Sequence, residues 1–279
     1  MLTAARYVTA RLSQRLHERT VYWHPASLRE TVRGMLLASR LPVPVVEPTS
    51  LFPALRETLV LVSPLTNGTY PGDSGVEKVA LVSAIAKASS ALRMLEIGTC
   101  SGFMARHLVL NCGSESRLWT IDLPDAKADA TAFPLRGDDR QLVRKEAHGR
   151  GLAGWYAAAA PERNQIVQIL CDSATYQYAE VEYSLDFAYI DGAHSYEYVV
   201  TDSVNVLQRM RPGGVVVWDD YYHFFPGIVR AIGELSRMVH VARLAGTGIV
   251  AAVLPSDWQA PGVMDALDSW RSMALRAAG

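Results

Sequence analysis

The chain has 279 residues, of which 49% are hydrophobic and 20% are charged, and its formal net charge at pH 7 is −1. That length can bury a sizeable core, and the near-zero charge leaves no basic surface for nucleic acid or an anionic membrane. No apolar run approaches the roughly 20 residues of a membrane-spanning helix. The three cysteines show no CxxC spacing, which argues against disulfides and structural zinc and favours a cytoplasmic location.

Residues 1–66 are predicted to be helices interrupted by prolines, serving as a lid or as a contact in a homo-oligomer. The first stretch, MLTAARYVTARLSQRLHERT, has apolar residues at helical intervals. The next, PASLRETVRGMLLASR, carries a capping-box pattern at Ser27 and Glu30. The prolines of LPVPVVEP, which follow, cannot continue that helix.

From Leu92 onward, short apolar runs alternate with helix-length segments, as in LRMLEI, RLWTID, QIVQIL, LDFAYID and GVVVWDD. Runs that are apolar on both faces are typical of parallel strands covered by helices. Near the end, VHVARLAGTGIVAAVL predicts two strands joined by a Gly-Thr-Gly turn, which must be antiparallel. We predict an α/β domain over residues 67–255, with five parallel strands and this hairpin, followed by a helix in residues 256–279.

The segment MLEIGTCSGF predicts a ligand-binding loop after the first of these strands. Its glycines, Gly98 and Gly102, allow a tight turn and a close approach of the ligand, and the following helix presents free N–H groups. A nicotinamide site would have GxGxxG spacing and a pyrophosphate at the helix. Here the spacing is GxxxG, and Glu96 at the strand end would repel a pyrophosphate but suits a cationic amino group.

Two further acidic positions complete the predicted ligand-binding site. Asp122 ends the second strand, where it suits ribose hydroxyls, and Asp172 with Ser173 follows the third strand, where an adenine amino group fits. Each of these alone is also typical of a solvated strand end or a helix cap. Their occurrence at the carboxyl ends of successive strands favours a binding site. Ammonium, ribose and adenine together describe S-adenosyl-L-methionine (SAM).

LEIGTCSG closely resembles motif I of the class I SAM-dependent methyltransferases, and the closing hairpin resembles their seventh, antiparallel strand. The resemblance runs from about Asn67 to Leu254 and implies a Rossmann-like methyltransferase sheet. It also implies a cofactor site formed by Glu96, Gly98, Thr99, Ser101, Gly102, Asp122, Asp172, Ser173 and Asp191.

Three more carboxylates follow two later strands. LDFAYID ends in Asp191, and GVVVWDDYY contains Asp219 and Asp220. Parallel strands end at the same edge of a sheet, so these side chains are expected to lie close together. Like charges raise one another's pKa unless a cation neutralises them, and Mg²⁺ is the natural partner of a cluster of oxygen ligands.

The pattern YIDGAHSYEYV…LQRMRPGGVVVWDDY resembles the branch that contains catechol O-methyltransferase-like enzymes and macrocin-type bacterial sugar O-methyltransferases. The resemblance implies Mg²⁺ ligands at Asp191, Asp219 and Asp220 and a catalytic base at His194. A metal lowers the pKa of a bound hydroxyl, and an imidazole can take its proton. Two vicinal oxygens would chelate the metal, which favours a catechol or a sugar diol as the small-molecule acceptor.

Other interpretations stay open. His194 also suits a cap of the helix that begins near Ser195, and the acidic pair suits a solvated turn. A metal-independent methyltransferase would use His194 or His223 as its base. A binding protein that keeps the SAM fold without turnover is a further alternative, and a nicotinamide oxidoreductase is disfavoured by Glu96 and the glycine spacing.

The acceptor side is predicted from two segments. The crossover between Asp122 and Gln165 is longer than a connecting helix needs, and its Trp155 and Tyr156 are candidates to close over a substrate. The aromatics of YYHFFPG directly follow the acidic pair and are expected to wall the acceptor pocket. The sequence thus predicts a cytoplasmic, Mg²⁺-assisted O-methyltransferase of a small molecule, without nucleic-acid or membrane partners.

Overall fold

The structure is a computed structural model of the chain. It describes residues 25–62, 75–136, 139–140, 143, 161–178, 181, 184–258 and 261–276. The predicted first amphipathic helix lies outside the described residues, and so do Trp155 and Tyr156.

The described helices and strands follow the predicted alternation. The helices are α1 (Pro25–Arg40), α2 (Pro48–Leu51), α3 (Val76–Ala88), α4 (Phe103–Cys112), α5 (Tyr196–Leu207), α6 (Pro226–Leu235) and α7 (Pro261–Arg276). The strands are β1 (Val45–Val46), β2 (Arg93–Ile97), β3 (Arg117–Asp122), β4 (Ile166–Leu170), β5 (Leu185–Ile190), β6 (Met210–Trp218), β7 (Ala242–Leu244) and β8 (Val250–Val253).

These strands form one sheet in the order β1-β7-β8-β6-β5-β2-β3-β4. β8 runs antiparallel to both β6 and β7, and the other neighbouring pairs are parallel. The predicted α/β fold, with its parallel strands and closing antiparallel hairpin, is therefore confirmed. One element was not predicted: Val45–Val46, in the segment expected to be helical, adds β1 to the edge of the sheet beside β7.

The strands are apolar on both faces because helices cover both faces. On β2, Leu95 packs in the layer of α5, α6 and α7, whereas Met94 packs in the layer of α3 and α4. On β6, Val216 and Val217 alternate between the same two layers. This period of two is what a central strand with two buried faces requires.

The chain reverses its direction of travel across the sheet between β2 and β5. Strands β2, β3 and β4 succeed one another toward one edge, and β5 then returns to the other side of β2. Ligands of open α/β sheets bind outside the carboxyl ends of strands at such a reversal. Here those ends carry Gly98 and Asp191, and the Asp191 N–H donates to the Ile97 carbonyl over 2.8 Å.

Two simple features of the chain complete the description. The cysteines, Cys100, Cys112 and Cys171, are not joined by disulfides. None of the described helices combines the length and the apolar character needed to cross a bilayer.

Candidate active site

The loop after β2 has the backbone that its glycines predict. Gly98 and Gly102 have φ of +99° and +83°, and Cys100 between them has φ of +48°. A Cβ atom at position 98 would lie 2.0 Å from the Asp191 carbonyl oxygen, so the loop packs directly on the end of β5. Glycine at this position is therefore required by both the conformation and the contact.

Beneath the loop, Glu96 lies in a buried chain of hydrogen bonds. The Thr120 hydroxyl donates to Glu96 Oε2 and lies 2.6 Å from the Thr99 hydroxyl. Glu96 Oε1 is buried and has no hydrogen-bond partner among the described residues. Burial raises the pKa of Glu96 well above its ordinary value, and the Thr120 hydrogen bond opposes that shift only in part. A carboxyl group left in this state suits a cationic ligand group, which would supply the missing partner.

The other loop side chains turn inward. Ser101 is fully buried, and its hydroxyl accepts the Phe103 N–H over 3.3 Å. Thr99 is also buried. A ligand above the loop therefore meets the backbone of these two residues, and their predicted contact with a cofactor stays a prediction.

The two predicted nucleoside carboxylates lie at the same sheet edge but are engaged differently. Asp122 Oδ1 accepts the N–H of the neighbouring Leu123 over 3.0 Å. Asp172 Oδ2 accepts from the Ala132 N–H (2.8 Å) and the Tyr198 hydroxyl (2.9 Å), and its Oδ1 accepts from the Ala174 N–H (3.0 Å). Asp172 therefore fastens the crossover after β3 to α5, and an adenine contact from it stays a prediction.

A buried carboxylate on α5 was missed from the sequence. Burial raises the pKa of Asp202 to about 7, and nearby Asp172 adds to this, whereas a hydrogen bond from Ser173 opposes it. Asp202 Oδ2 lies 3.5 Å from where a Cβ atom on Gly192 would be. The signal was present, because an acidic residue on a helix that is otherwise buried is unusual.

The three carboxylates that follow β5 and β6 come together as expected. The Tyr189 hydroxyl lies 2.9 Å from Asp191 Oδ2 and contacts Asp219 Oδ2 as well. Burial and, after it, the charge of Asp219 raise the pKa of Asp191 to about 8. Its surroundings therefore favour the neutral form of Asp191, whereas Asp219 and Asp220 face cationic side chains.

The first of these cations is Lys78 on α3, which sequence reasoning missed. Its Nζ lies 2.7 Å from Asp219 Oδ2 and 3.4 Å from Asp220 Oδ1. Burial by itself would lower the pKa of Lys78, but the charges of Asp219, Asp220 and Asp191 outweigh burial and raise it well above its ordinary value. The ammonium group therefore stays charged between the carboxylates.

The second cation is His194, which is held from both ring nitrogens. Nδ1 contacts Asp139 Oδ1, the His194 backbone N–H donates to Asp139 Oδ2 over 3.0 Å, and Nε2 lies 2.9 Å from Asp220 Oδ2. Burial would lower the pKa of His194, but Asp139 and then Asp220 raise it well above its ordinary value. His194 does not cap α5, because Ser195 is the N-cap residue. Asp139 comes from the long crossover and was not predicted.

Asp220 contacts both cations, Lys78 and His194. Its φ of +55° is in the left-handed region, which Asp tolerates better than most residues. Burial would raise the pKa of Asp220, but Lys78 and His194 together lower it well below its ordinary value. Asp220 is therefore ionised and paired with both cations.

The donor set of this cluster does not fit the predicted Mg²⁺ ion as it is arranged. Asp219 Oδ1 accepts the Asp220 N–H over 2.7 Å, and its Oδ2 accepts from Lys78 and Tyr189. The two Asp220 oxygens accept from Lys78 and His194. Within the described part of the chain, no group of three His, Cys, Asp or Glu side chains is arranged to hold a metal. All four carboxylate oxygens of Asp219 and Asp220 thus accept hydrogen bonds from protein donors. Mg²⁺ instead needs several free oxygen ligands in octahedral geometry.

A cavity opens beside this cluster. It offers about 20 Å³ of space, which is room for a water molecule, and is lined by the predicted carboxylates and His194, together with apolar Val199, Trp218 and Ile228. The cavity therefore has polar groups at one end and apolar walls elsewhere.

Helix α1 covers the aromatic segment next to the cavity. Arg136 donates to Glu30 through two nitrogens, at 2.8 and 3.3 Å, and its guanidinium lies 5.1 Å from the Phe225 ring centroid. Phe225 in turn stacks on His194, with centroids 4.2 Å apart. A continuous set of contacts therefore joins α1 to the predicted base. The alternative base, His223, also contacts this helix, because its backbone carbonyl lies against Gly34 of α1.

Comparisons with known proteins give a family for the central part of the chain. A family model described as a methyltransferase domain matches residues 95–221. No curated protein matches the chain. Solved structures similar to it include an O-methyltransferase from Bacillus cereus in complex with SAH, at 18% identity over 66% of this chain and 84% of that one, with a TM-score of 0.46. A putative O-methyltransferase from Klebsiella pneumoniae (13%, 88% and 96%, TM-score 0.45) and TomG from Streptomyces achromogenes (20%, 77% and 93%, TM-score 0.41) are also similar.

Proposed function

We propose that this chain, whose residues 95–221 match a family model described as a methyltransferase domain, is a class I SAM-dependent methyltransferase that methylates a hydroxyl oxygen of a small molecule. The observation that carries the proposal is the position of His194. Its imidazole lies in the wall of a small cavity, at the same sheet edge as the glycine-rich loop. Once neutral, this imidazole could take a proton close to where the methyl donor is proposed to bind.

The residues proposed to hold SAM are those of the loop and the strand ends around it. Glu96 would pair with the ammonium group, the backbone from Gly98 to Gly102 would lie along the cofactor, and Asp122 would accept from the ribose. When bound, SAM supplies a methyl group on a sulfonium, which an oxygen nucleophile attacks in line. The protein must therefore position one hydroxyl and remove its proton.

His194 is proposed to take that proton. Asp139 engages Nδ1 and the backbone N–H, so the ring is oriented with Nε2 toward Asp220 and the cavity. Only the neutral ring accepts a proton, and the two carboxylates favour the charged ring. Turnover should therefore rise with pH as His194 loses its proton.

Mg²⁺ assistance is what the family resemblance implies, but it is not part of this proposal. The donor set described above gives it no support, and no step of the proposed reaction depends on it. We also propose a cytoplasmic location and no nucleic-acid or membrane partner. Both rest on the composition and the net charge of the chain.

The experiment is to incubate the full chain with SAM and a panel of phenols, catechols, sugars and amines, and to measure SAH together with the mass of the product. We expect methylated hydroxyl products, and we expect His194→Ala to reduce turnover by about 10²–10⁴-fold, the usual contribution of a general base. Methylation of amines alone would refute the assignment to oxygen. SAM binding without turnover of any acceptor would favour a binding protein instead.

A further inference from the structure

We propose that the Lys78 ammonium group occupies the place that the family resemblance assigns to a divalent cation, so that methyl transfer by this chain needs no metal. The inference rests on the proposed function and concerns the acidic cluster of Asp191, Asp219 and Asp220. Lys78 precedes the segment that the methyltransferase family model matches, which begins at residue 95.

The position of Lys78 is set by the packing of α3. The helix begins at Val76, and Val79 and Val82 on its inner face are fully buried. Lys78 lies in the first turn, and its side chain is only 24% exposed. The packed inner face of α3 fixes the backbone of Lys78, and the two carboxylates hold its ammonium group, so the ammonium has little freedom to leave the cluster.

The contacts of Lys78 are those a cation at this site would make. The ammonium reaches one oxygen of Asp219 and one of Asp220, the two residues expected to hold the metal. It also interacts electrostatically with the third expected ligand, Asp191. An ion placed among these three carboxylates would have to displace an N–H donor that is 2.7 Å from Asp219.

An ammonium group differs from Mg²⁺ in ways that affect the acceptor. It carries one charge and three N–H donors, and it cannot chelate two vicinal oxygens as a metal does. It therefore lowers the pKa of a nearby hydroxyl less than a dication would. The acceptor class that fits is one with a single, already acidic hydroxyl, such as a phenol or an enol, and a vicinal diol gives no advantage.

The test measures Mn²⁺ binding by electron paramagnetic resonance on the full chain, without SAM or acceptor. We expect the wild type to bind no Mn²⁺ at this cluster. Lys78→Ala should gain one site, and the double variant Lys78→Ala/Asp219→Asn should lose it again. The matched control is Lys87→Ala on the same helix. Lys87 Nζ donates to the Leu59 carbonyl over 2.7 Å, away from the cluster, so this variant should behave as the wild type.

Activity supplies the second readout. Wild-type turnover should be unchanged by EDTA, whereas Lys78→Ala should lose at least about tenfold and recover when Mn²⁺ or Mg²⁺ is added. Of a phenol and the corresponding catechol, the wild type should not prefer the catechol.

Two results would overturn the proposal. One is Mn²⁺ binding by the wild type that Asp219→Asn removes. The other is a folded Lys78→Ala variant that gains no site. If Lys78→Ala does not fold, as judged by circular dichroism, Lys78→Met is tested instead, because methionine keeps most of the aliphatic stem. Failure of the proposed function would look different, because SAM binding or methyl transfer would be missing while the Mn²⁺ results stood.

Discussion

His194 and Asp139 are 55 positions apart in the chain, yet their contact decides the protonation state of the proposed base. The Asp139 carboxylate accepts both from the ring and from the backbone N–H of His194. It therefore orients the imidazole and also favours its charged form. An isolated histidine would titrate near pH 6.5, but this one keeps its proton to higher pH.

We predict that Asp139→Asn shifts the pH profile of kcat/KM to lower pH. In the wild type, activity rises as pH passes the raised pKa of His194, because only the neutral ring accepts the acceptor's proton. Loss of the Asp139 charge lowers that pKa and so lowers the midpoint. The profile is measured with one acceptor at saturating SAM.

The control for this change is His223→Ala, which should leave the midpoint where it is. An unchanged midpoint in Asp139→Asn would mean that another group limits the rate.

A second prediction at this scale concerns Gly98→Ala. The left-handed backbone alone should destabilise the chain by about 1–2 kcal/mol, and the clash with the Asp191 carbonyl should add to that and abolish SAM binding. Gly113→Ala is a matched control, because Gly113 also has a positive φ (+91°) but a Cβ atom there meets nothing within 4 Å. Denaturant unfolding and SAM titration measure both effects, and equal losses in the two variants would contradict the role given to the contact.

Among the secondary-structure elements, α1 connects the N-terminal segment to the acceptor side. It packs against α6, and a Cβ atom on Gly34 would lie 1.9 Å from the His223 carbonyl oxygen. Its Glu30 holds Arg136 over Phe225. Helix α1 therefore lies where a lid would act, and this role stays a prediction.

We predict that Gly34→Ala raises the KM for the acceptor and leaves SAM affinity unchanged. Alanine normally stabilises a helix relative to glycine by roughly 1 kcal/mol, but here the added methyl group must push α1 away from the aromatic segment. Gly262→Ala on α7 is the control, since nothing lies within 4 Å of its Cβ position. An acceptor KM equal to that of the wild type would show that α1 does not shape the site.

At the scale of elements, sequence patterns predicted more than they missed. The strands LRMLEI, RLWTID and LDFAYID were found because two buried faces leave a continuous apolar run. β1 was missed because two residues carry no periodic signal, and its pairing with β7 is a tertiary event. Helix α1 begins at Pro25, two residues before the expected cap at Ser27.

For the molecule as a whole, the proposed cofactor is expected to stabilise the folded chain. A ligand that binds only the folded chain stabilises it by about 2.7 kcal/mol at a concentration 100 times its Kd. We predict that SAM and SAH raise the Tm of the full chain and that NAD does not. Thermal unfolding with each ligand tests this, and a shift with NAD alone would contradict the family assignment.

The homo-oligomer expected from the sequence stays a prediction. The family comparison, by contrast, agrees with the prediction: a model described as a methyltransferase domain matches residues 95–221, which include the glycine-rich loop, both later strand ends and the acidic cluster.

By itself, the sequence determined the class of fold, the edge of the sheet at which a ligand site is predicted, and the convergence of Asp191, Asp219 and Asp220. These follow from local periodicity and from the rule that parallel strands end at one edge. Only the tertiary structure decided which cations face those carboxylates. Lys78, and Asp139 which holds His194, come from distant segments, and the local sequence pattern of those segments does not indicate what they contact. The balance between burial and charge in that cluster depends on distances of a few ångströms, and those exist only once the helices have packed.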